Sequence, residues 1–245
     1  GGRVHCFVPY DPLRQVAFEL GHASADSFTL VVDAIQKHGC VGVKLYPPMG
    51  FAALGNSSLR GPGGTNFWAR EWLPAWTANR DLGERLDRAM AKLLSWCELN
   101  GVPVMAHTGL SNGVTPDFER LAGSPYWANA LKAFPNLRVS FGHFGDSSPV
   151  EDGLDRARAF AGLMNGNSGQ PGAFAYADAG YFVEVMNSQP ALLANLRQLY
   201  DETAGKGSAA LANRFMYGTD WEMTLTEGSV GTYLSQFVDL FNELE

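Results

Sequence analysis

His107 and His143 each end a short apolar run and are each followed by a glycine within two residues; Asp220 ends a third such run. If these runs are strands of a parallel α/β sheet, the three residues stand where such folds place their chemistry, at the C-terminal ends of the strands. Two imidazoles and a carboxylate are the donors that Zn²⁺ and similar ions prefer. A metal so held lowers the pKa of bound water towards ~7, and a neighbouring carboxylate can serve as ligand, as general base, or as both in turn. Three donors are fewer than a secure site needs.

Lys44 lies between Val43 and Leu45, whose side chains point to the opposite face. An ammonium there is costly unless it is paired or lines a wet cavity. Glu184 interrupts Val183 and Val185 in the same way; it is either a buried partner, with Lys44 as one candidate mate, or a water-bound acid. With Tyr46, on the face of Lys44, and Trp221, beside Asp220, these residues form the expected substrate-binding set. Asp146 and Asp178 read as solvated loop residues. Other mechanisms lack their parts: the chain has no G-x-S-x-G elbow, no H-E-x-x-H helix, and neither a dinucleotide nor a phosphate-loop glycine pattern.

The elements that must position these residues alternate between strand-like and helix-like periods. Strands are expected at Val4 to Pro9, Val41 to Tyr46, Val102 to Gly109, Leu137 to His143, Tyr181 to Met186, and Phe215 to Trp221. Helices are expected from Asp26 to Gly39, Gly83 to Asn100, Pro125 to Phe134, Glu151 to Met164, Pro190 to Tyr200 and Ser229 to Leu244. Tyr10-Asp11-Pro12 reads as a turn, and Asn165 to Gly172 as a mobile loop. Alternation of this kind signals βαβ units and a parallel sheet, which an open doubly wound sheet and a barrel satisfy equally. The segment 47–82 loses regular patterning yet carries Phe51, Phe67, Trp68, Trp72 and Trp76, so it reads as a folded, aromatic-rich insertion and not a disordered linker. A substrate wall, a cover for the core and a subunit contact in a homo-oligomer are its open roles.

The chain has 245 residues and reads as one domain spanning 1–245, large enough to bury a substantial core. A net charge of −7 without a Lys/Arg cluster argues against nucleic acid as a partner. No apolar run approaches the roughly 20 residues that span a bilayer, so neither a membrane nor a nucleic acid is expected as partner, only a small-molecule substrate. Cys6, Cys40 and Cys97 are far apart in sequence without C-x-x-C spacing and read as buried free thiols, which suits a reducing, cytoplasmic setting. The chain opens on Gly1-Gly2-Arg3 and stops inside a helical pattern, as expected of a piece of a longer chain.

The strand endings Gly-Val-Lys-Leu-Tyr-Pro, Val-Pro-Val-Met-Ala-His-Thr-Gly, Val-Ser-Phe-Gly-His-Phe-Gly and Met-Tyr-Gly-Thr-Asp-Trp together resemble the amidohydrolase superfamily, in the branch of the aminocarboxymuconate-semialdehyde decarboxylase-like metal-dependent hydrolases. The resemblance covers nearly the whole chain. It implies an α/β fold of the (β/α)8 TIM-barrel type, of which this chain holds about six βα units, the third to the eighth. It implies a divalent metal, zinc above all, with His107 as the fifth-strand ligand. Asp220 becomes the eighth-strand ligand that also handles the proton of the attacking water. His143 becomes the sixth-strand histidine, a second ligand or a proton-transfer group. Lys44 falls on the fourth strand, where some members carry a carboxylated lysine. The first-strand His-x-His motif of that family has no counterpart here, so the first two βα units are absent or lie outside this sequence, and the chain alone is expected to bind metal weakly and turn over slowly. The activity so implied is hydrolysis of a small cyclic or carboxylated molecule. Non-oxidative decarboxylation on the same barrel and a non-catalytic binding role are the alternatives.

Overall fold

Six apolar runs become parallel strands: β1 (Phe7–Pro9), β2 (Gly42–Leu45), β3 (Val104–His107), β4 (Val139–Gly142), β5 (Ala175–Asp178) and β6 (Phe215–Met216). The computed structural model describes residues 4–110, 113–146, 153–228 and 230–244, so the helix starts expected at Glu151 and Ser229 lie outside it. The strands stand in chain order, each paired in parallel with its neighbours in sequence. A doubly wound sheet reverses its order at a switch point. No reversal occurs among the described strands, so the sheet is wound continuously in one direction.

The longer helices connect the strands: α1 (Pro12–Glu19), α2 (Ser27–His38), α3 (Leu82–Asn100), α4 (Ser124–Ala133), α5 (Gly153–Leu163), α6 (Gln189–Thr203) and α7 (Tyr233–Leu244). Local signals explain their limits. For α2, Asp26 accepts the Thr29 N–H at 3.0 Å and Gly39 ends the helix at φ 79°, an N-cap worth about 1 kcal/mol followed by a left-handed glycine. The same chemistry corrects the turn expected at Tyr10-Asp11-Pro12. Asp11 accepts the Leu13 N–H at 2.9 Å with proline in the first helical position, and α1 begins there.

The largest displacement concerns the fifth strand. It is expected over Tyr181 to Met186, but β5 is Ala175–Asp178, and Glu184 opens a helical turn, Glu184–Asn187. Val183 and Val185 carry the stronger strand propensity. The sheet, however, sets Ala175 opposite Val139 and Ala177 opposite Phe141, whose ring meets that of Phe160 at 4.8 Å. Those large neighbours fill the layer, and alanine fits beside them.

The two faces of the sheet differ. One carries Val43, Leu45, Val104, Ala106, Val139, Phe141, Ala175 and Ala177, none more than 2% exposed, and packs on helix residues such as Leu93, Trp127, Leu196 and Phe237. Burying each large side chain contributes roughly 1.5–3 kcal/mol. The register brings Lys44, Met105, Ser140 and Tyr176 together in a row on the other face, with His107, Gly142, Asp178 and Met216 in the rows beyond. Parallel sheets are ordinarily covered on both sides, yet Tyr176 and Met216 remain 36% and 41% exposed.

The insertion packs as a second apolar cluster, in which Phe67 and Trp68 meet Val16, Leu86 and Phe118. Asp87 on α3 clamps it by accepting the backbone N–H groups of Gly55, Asn56 and Ser57, each at 2.9 Å. Of the three thiols expected to be buried, only Cys97 is; Cys6 is exposed and Cys40 half-exposed. No helix among the described residues is long and apolar enough to cross a membrane.

Candidate active site

The incompletely covered face borders a cavity of about 580 Å³, lined by Lys44, Ser140, His143, Asp178 and Asp220 among others. Four strands supply these groups. Lys44 projects from the middle of β2, Ser140 from β4, Asp178 from the last position of β5, while His143 and Asp220 follow the ends of β4 and β6.

Backbone strain concentrates here. His143, Phe144, Tyr181 and Asp220 adopt positive φ of 64°, 48°, 58° and 47° without being glycine. Each such conformation costs on the order of 1–3 kcal/mol and persists where the surroundings impose it, commonly at functional sites. Asp178 does much of the imposing. One carboxylate oxygen accepts the backbone N–H groups of His143 at 3.3 Å and Gly180 at 3.0 Å, and the other accepts the Ser140 hydroxyl at 3.2 Å. Two glycines let the chain close around it: a Cβ on Gly180 would lie 3.1 Å from the carboxylate, and one on Gly218 would lie 3.3 Å from it and 3.0 Å from the Gly180 nitrogen.

His107 is buried behind His143, with ring centroids 4.6 Å apart, and against Tyr46, at 4.5 Å. Its Nε2 lies 2.9 Å from the Gly109 carbonyl, while Nδ1 of His143 lies 2.8 Å from the Gly180 carbonyl. Carbonyls only accept, so Nε2 of His107 and Nδ1 of His143 carry the protons. Each ring keeps its other nitrogen as an acceptor while neutral.

Burial, reinforced by His143 and Lys44 and only partly offset by the Gly109 carbonyl, pushes the His107 pKa from 6.5 down to about 3. Between those values the unfolded chain binds a proton that the folded chain refuses, so stability is full above pH 6.5 and falls as the pH drops towards 3. The loss amounts to at most about 5 kcal/mol. Urea titrations of the wild type and His107→Gln across that range are expected to show a clearly flatter pH dependence in the variant; identical slopes would mean that His107 titrates normally.

Lys44 sits at the same site under opposing influences. Burial pulls its pKa down, and the carboxylates of Asp178 and Asp220 pull it back up. Those two acids, rather than Glu184, are therefore its charge partners. Glu184 is displaced with the misread strand, lies outside the cavity lining, and buries an Oε2 with no hydrogen-bond partner. Tyr46 lines a smaller recess of about 290 Å³ that also touches Lys44. Trp221 is 64% exposed and borders a groove with Thr224 and Leu234 that adjoins the cavity at Tyr217 and Thr219. Asp146 pairs with Arg156 on α5. Asp178, expected in a solvated loop, instead ends β5; the alternation Ala175-Tyr176-Ala177-Asp178 carries the signal for that strand.

Among the described residues, no three His, Cys, Asp or Glu side chains converge as a group that could hold a metal ion. The hydrogen-bonded imidazoles have the orientation common among metal-ligating histidines, but two such rings do not make a shell. Zinc titration of this chain is therefore expected to give a dissociation constant weaker than ~1 µM. Tight, stoichiometric uptake would contradict this.

Comparison with known proteins finds that residues 23–238 match the amidohydrolase family. No curated protein matches the chain. Among solved structures, an amidohydrolase from Burkholderia multivorans with bound zinc aligns with 90% of this chain and 73% of its own, at 13% identity and a TM-score of 0.42, a likeness too slight to argue from.

Proposed function

This chain belongs to the amidohydrolase family, and from that premise we propose that it is a hydrolase of small cyclic or carboxylated molecules, with a fold of the TIM-barrel type and its reaction at the cavity edged by Lys44, His143, Asp178 and Asp220. The observation that carries this reading is the convergence of a cation and two carboxylates from three strands on one cavity. The described residues do not complete a zinc shell, so the steps assigned to them are those that need no metal.

Lys44 is the donor. Its ammonium binds a substrate carboxylate or the oxygen on which negative charge develops as water adds to the electrophilic carbon. Asp220, at the exposed mouth, takes the proton of that water. His143 donates Nδ1–H to Gly180, so its neutral ring offers a second proton acceptor and not an oxyanion donor. Asp178 positions the His143 and Gly180 backbone and opposes the burial that pulls the Lys44 pKa down.

A decarboxylase would gain support from an arginine placed to grip a second carboxylate near the reacting carbon. Arg138 does line the cavity, but it lies five residues before His143 along β4, a separation of roughly 16 Å in extended chain. The reading is tested by incubating the protein, with zinc supplied, with small lactones, cyclic amides and esters that bear a carboxylate. Ring-opened or cleaved acids are expected by NMR; release of carbon dioxide instead would favour the decarboxylase and overturn the hydrolase.

A further inference from the structure

Cys6 stands immediately before β1, and Cys40 immediately before the segment that enters β2. The parallel register sets Phe7 opposite Gly42, and the Val41 N–H donates to the Cys6 carbonyl at 2.9 Å, so the two lead-in segments already run side by side. Their sulfur atoms lie 2.7 Å apart. A covalent S–S bond is about 2.05 Å long, so closure asks for little movement beyond that of the two side chains. Both thiols can be reached from solvent, whereas Cys97 is buried among core side chains and burial pushes its pKa up to about 12.

We propose that Cys6 and Cys40 form an oxidation site: they close to an intramolecular disulfide by exchange with a low-molecular-weight disulfide of the glutathione type. The thiolate of one cysteine attacks a sulfur of the small disulfide, giving a mixed disulfide and releasing one small thiol. The thiolate of the other attacks the protein sulfur of that mixed disulfide, forming the Cys6–Cys40 bond and releasing the second small thiol. Two electrons and two protons pass from the protein to the small disulfide, which leaves as two thiols. Among the described strands β1, three residues long, pairs with β2. The bond ties the start of β1 to the lead-in of β2.

The test is to incubate the full chain with oxidised glutathione, alkylate the remaining thiols, and read intact mass and peptide map. The expected result is loss of two of the three thiols, a mass lower by two hydrogens before alkylation, and a linked peptide pair holding Cys6 and Cys40, all reversed by dithiothreitol. Cys6→Ser and Cys40→Ser are each expected to stop at the glutathione adduct. The oxidised wild type is also expected to lose the segment before Tyr10 to protease more slowly than the reduced form. Retention of all three alkylatable thiols, glutathione adducts that persist in the wild type, or a bond that includes Cys97 or joins two chains would each overturn the proposal.

Discussion

Arg214→Met is expected to destabilise the fold by about 4 kcal/mol, a loss as large as that of truncating a core aromatic. The guanidinium is 4% exposed. It donates to the carbonyls of Ser208 at 2.7 Å, Met164 at 2.7 Å, Gly172 at 2.6 Å and Gly166 at 2.9 Å. Those carbonyls belong to the end of α5, to the loop that leads into β5, and to a turn before β6, so one side chain holds the connections around two strands. Methionine fills much of the volume but leaves the buried carbonyls of Met164 and Gly166 without a donor, each costing about 1–3 kcal/mol if nothing replaces it, while the Gly172 carbonyl keeps the Ala175 N–H at 3.1 Å and the part-buried Ser208 carbonyl can reach water. Burial pushes the Arg214 pKa down, which means that the charge itself is costly there, and removing it returns part of the loss. Arg214→Lys is expected to fall between, since an ammonium cannot spread donors in a fork. Equilibrium urea unfolding checks this; a loss below about 1 kcal/mol in the methionine variant would show that the loop satisfies its carbonyls by other means.

The second large effect is on activity. Asp178→Asn is expected to lower kcat by about a hundredfold, and to move the alkaline limb of the pH–rate profile to lower pH. Asparagine keeps an oxygen for the His143 and Gly180 N–H groups and turns its NH2 towards the Ser140 hydroxyl oxygen, which can accept, but removes the negative charge that offsets the burial of Lys44. With that attraction gone, the lysine pKa falls further and the ammonium is lost sooner as the pH rises. Asp178→Glu keeps the charge and is expected to restore the limb towards its wild-type position. A residue that mattered only for folding would lower the amount of active protein and leave the profile where it was, so an unshifted limb in Asp178→Asn rejects the electrostatic role.

The fold was legible in the sequence where local chemistry and tertiary packing agree. Asp26 and Gly39 mark α2, Gly101 ends α3, and the valines of β2, β3 and β4 advertise a face that the helices cover. It was illegible where packing overrides propensity. Ala175 and Ala177 form a strand because Val139 and Phe141 already fill the layer, while the more strand-like Val183 and Val185 flank the start of a helical turn. That misplacement hid Asp178 and set Glu184 beside Lys44, whereas Glu184 lies outside the cavity lining. The loop from Asn165 to Gly172 reads as mobile from its glycines and serine, yet it wraps a guanidinium supplied from some 40 residues later, as the Gly172 and Arg214 contact shows. No local pattern announces such a partner. That His143, Asp220 and Lys44 border one cavity was legible because the first two close apolar runs and the third interrupts one, and a polar residue there has few structural reasons to be present.

The tautomers were not legible at all, and they change the chemistry assigned. The resemblance implies that His143 is a second ligand or a proton-transfer group; the Gly180 carbonyl holds a proton on Nδ1, which leaves Nε2 as the nitrogen for either task. Lys44 is the donor we propose there, where burial lowers its pKa and Asp178 and Asp220 oppose that shift.

The central claim is that one cavity, with Lys44 as donor and Asp220 as base, performs hydrolysis. Its most direct test is kcat/KM for the best hydrolysed compound of the carboxylate-bearing panel, measured for wild type, Lys44→Met, Asp220→Asn and Trp221→Ala. The account predicts losses of about a hundredfold or more for the first two variants and a change within about twofold for Trp221→Ala, whose side chain lies outside the cavity lining. Wild-type activity in both Lys44→Met and Asp220→Asn would contradict it.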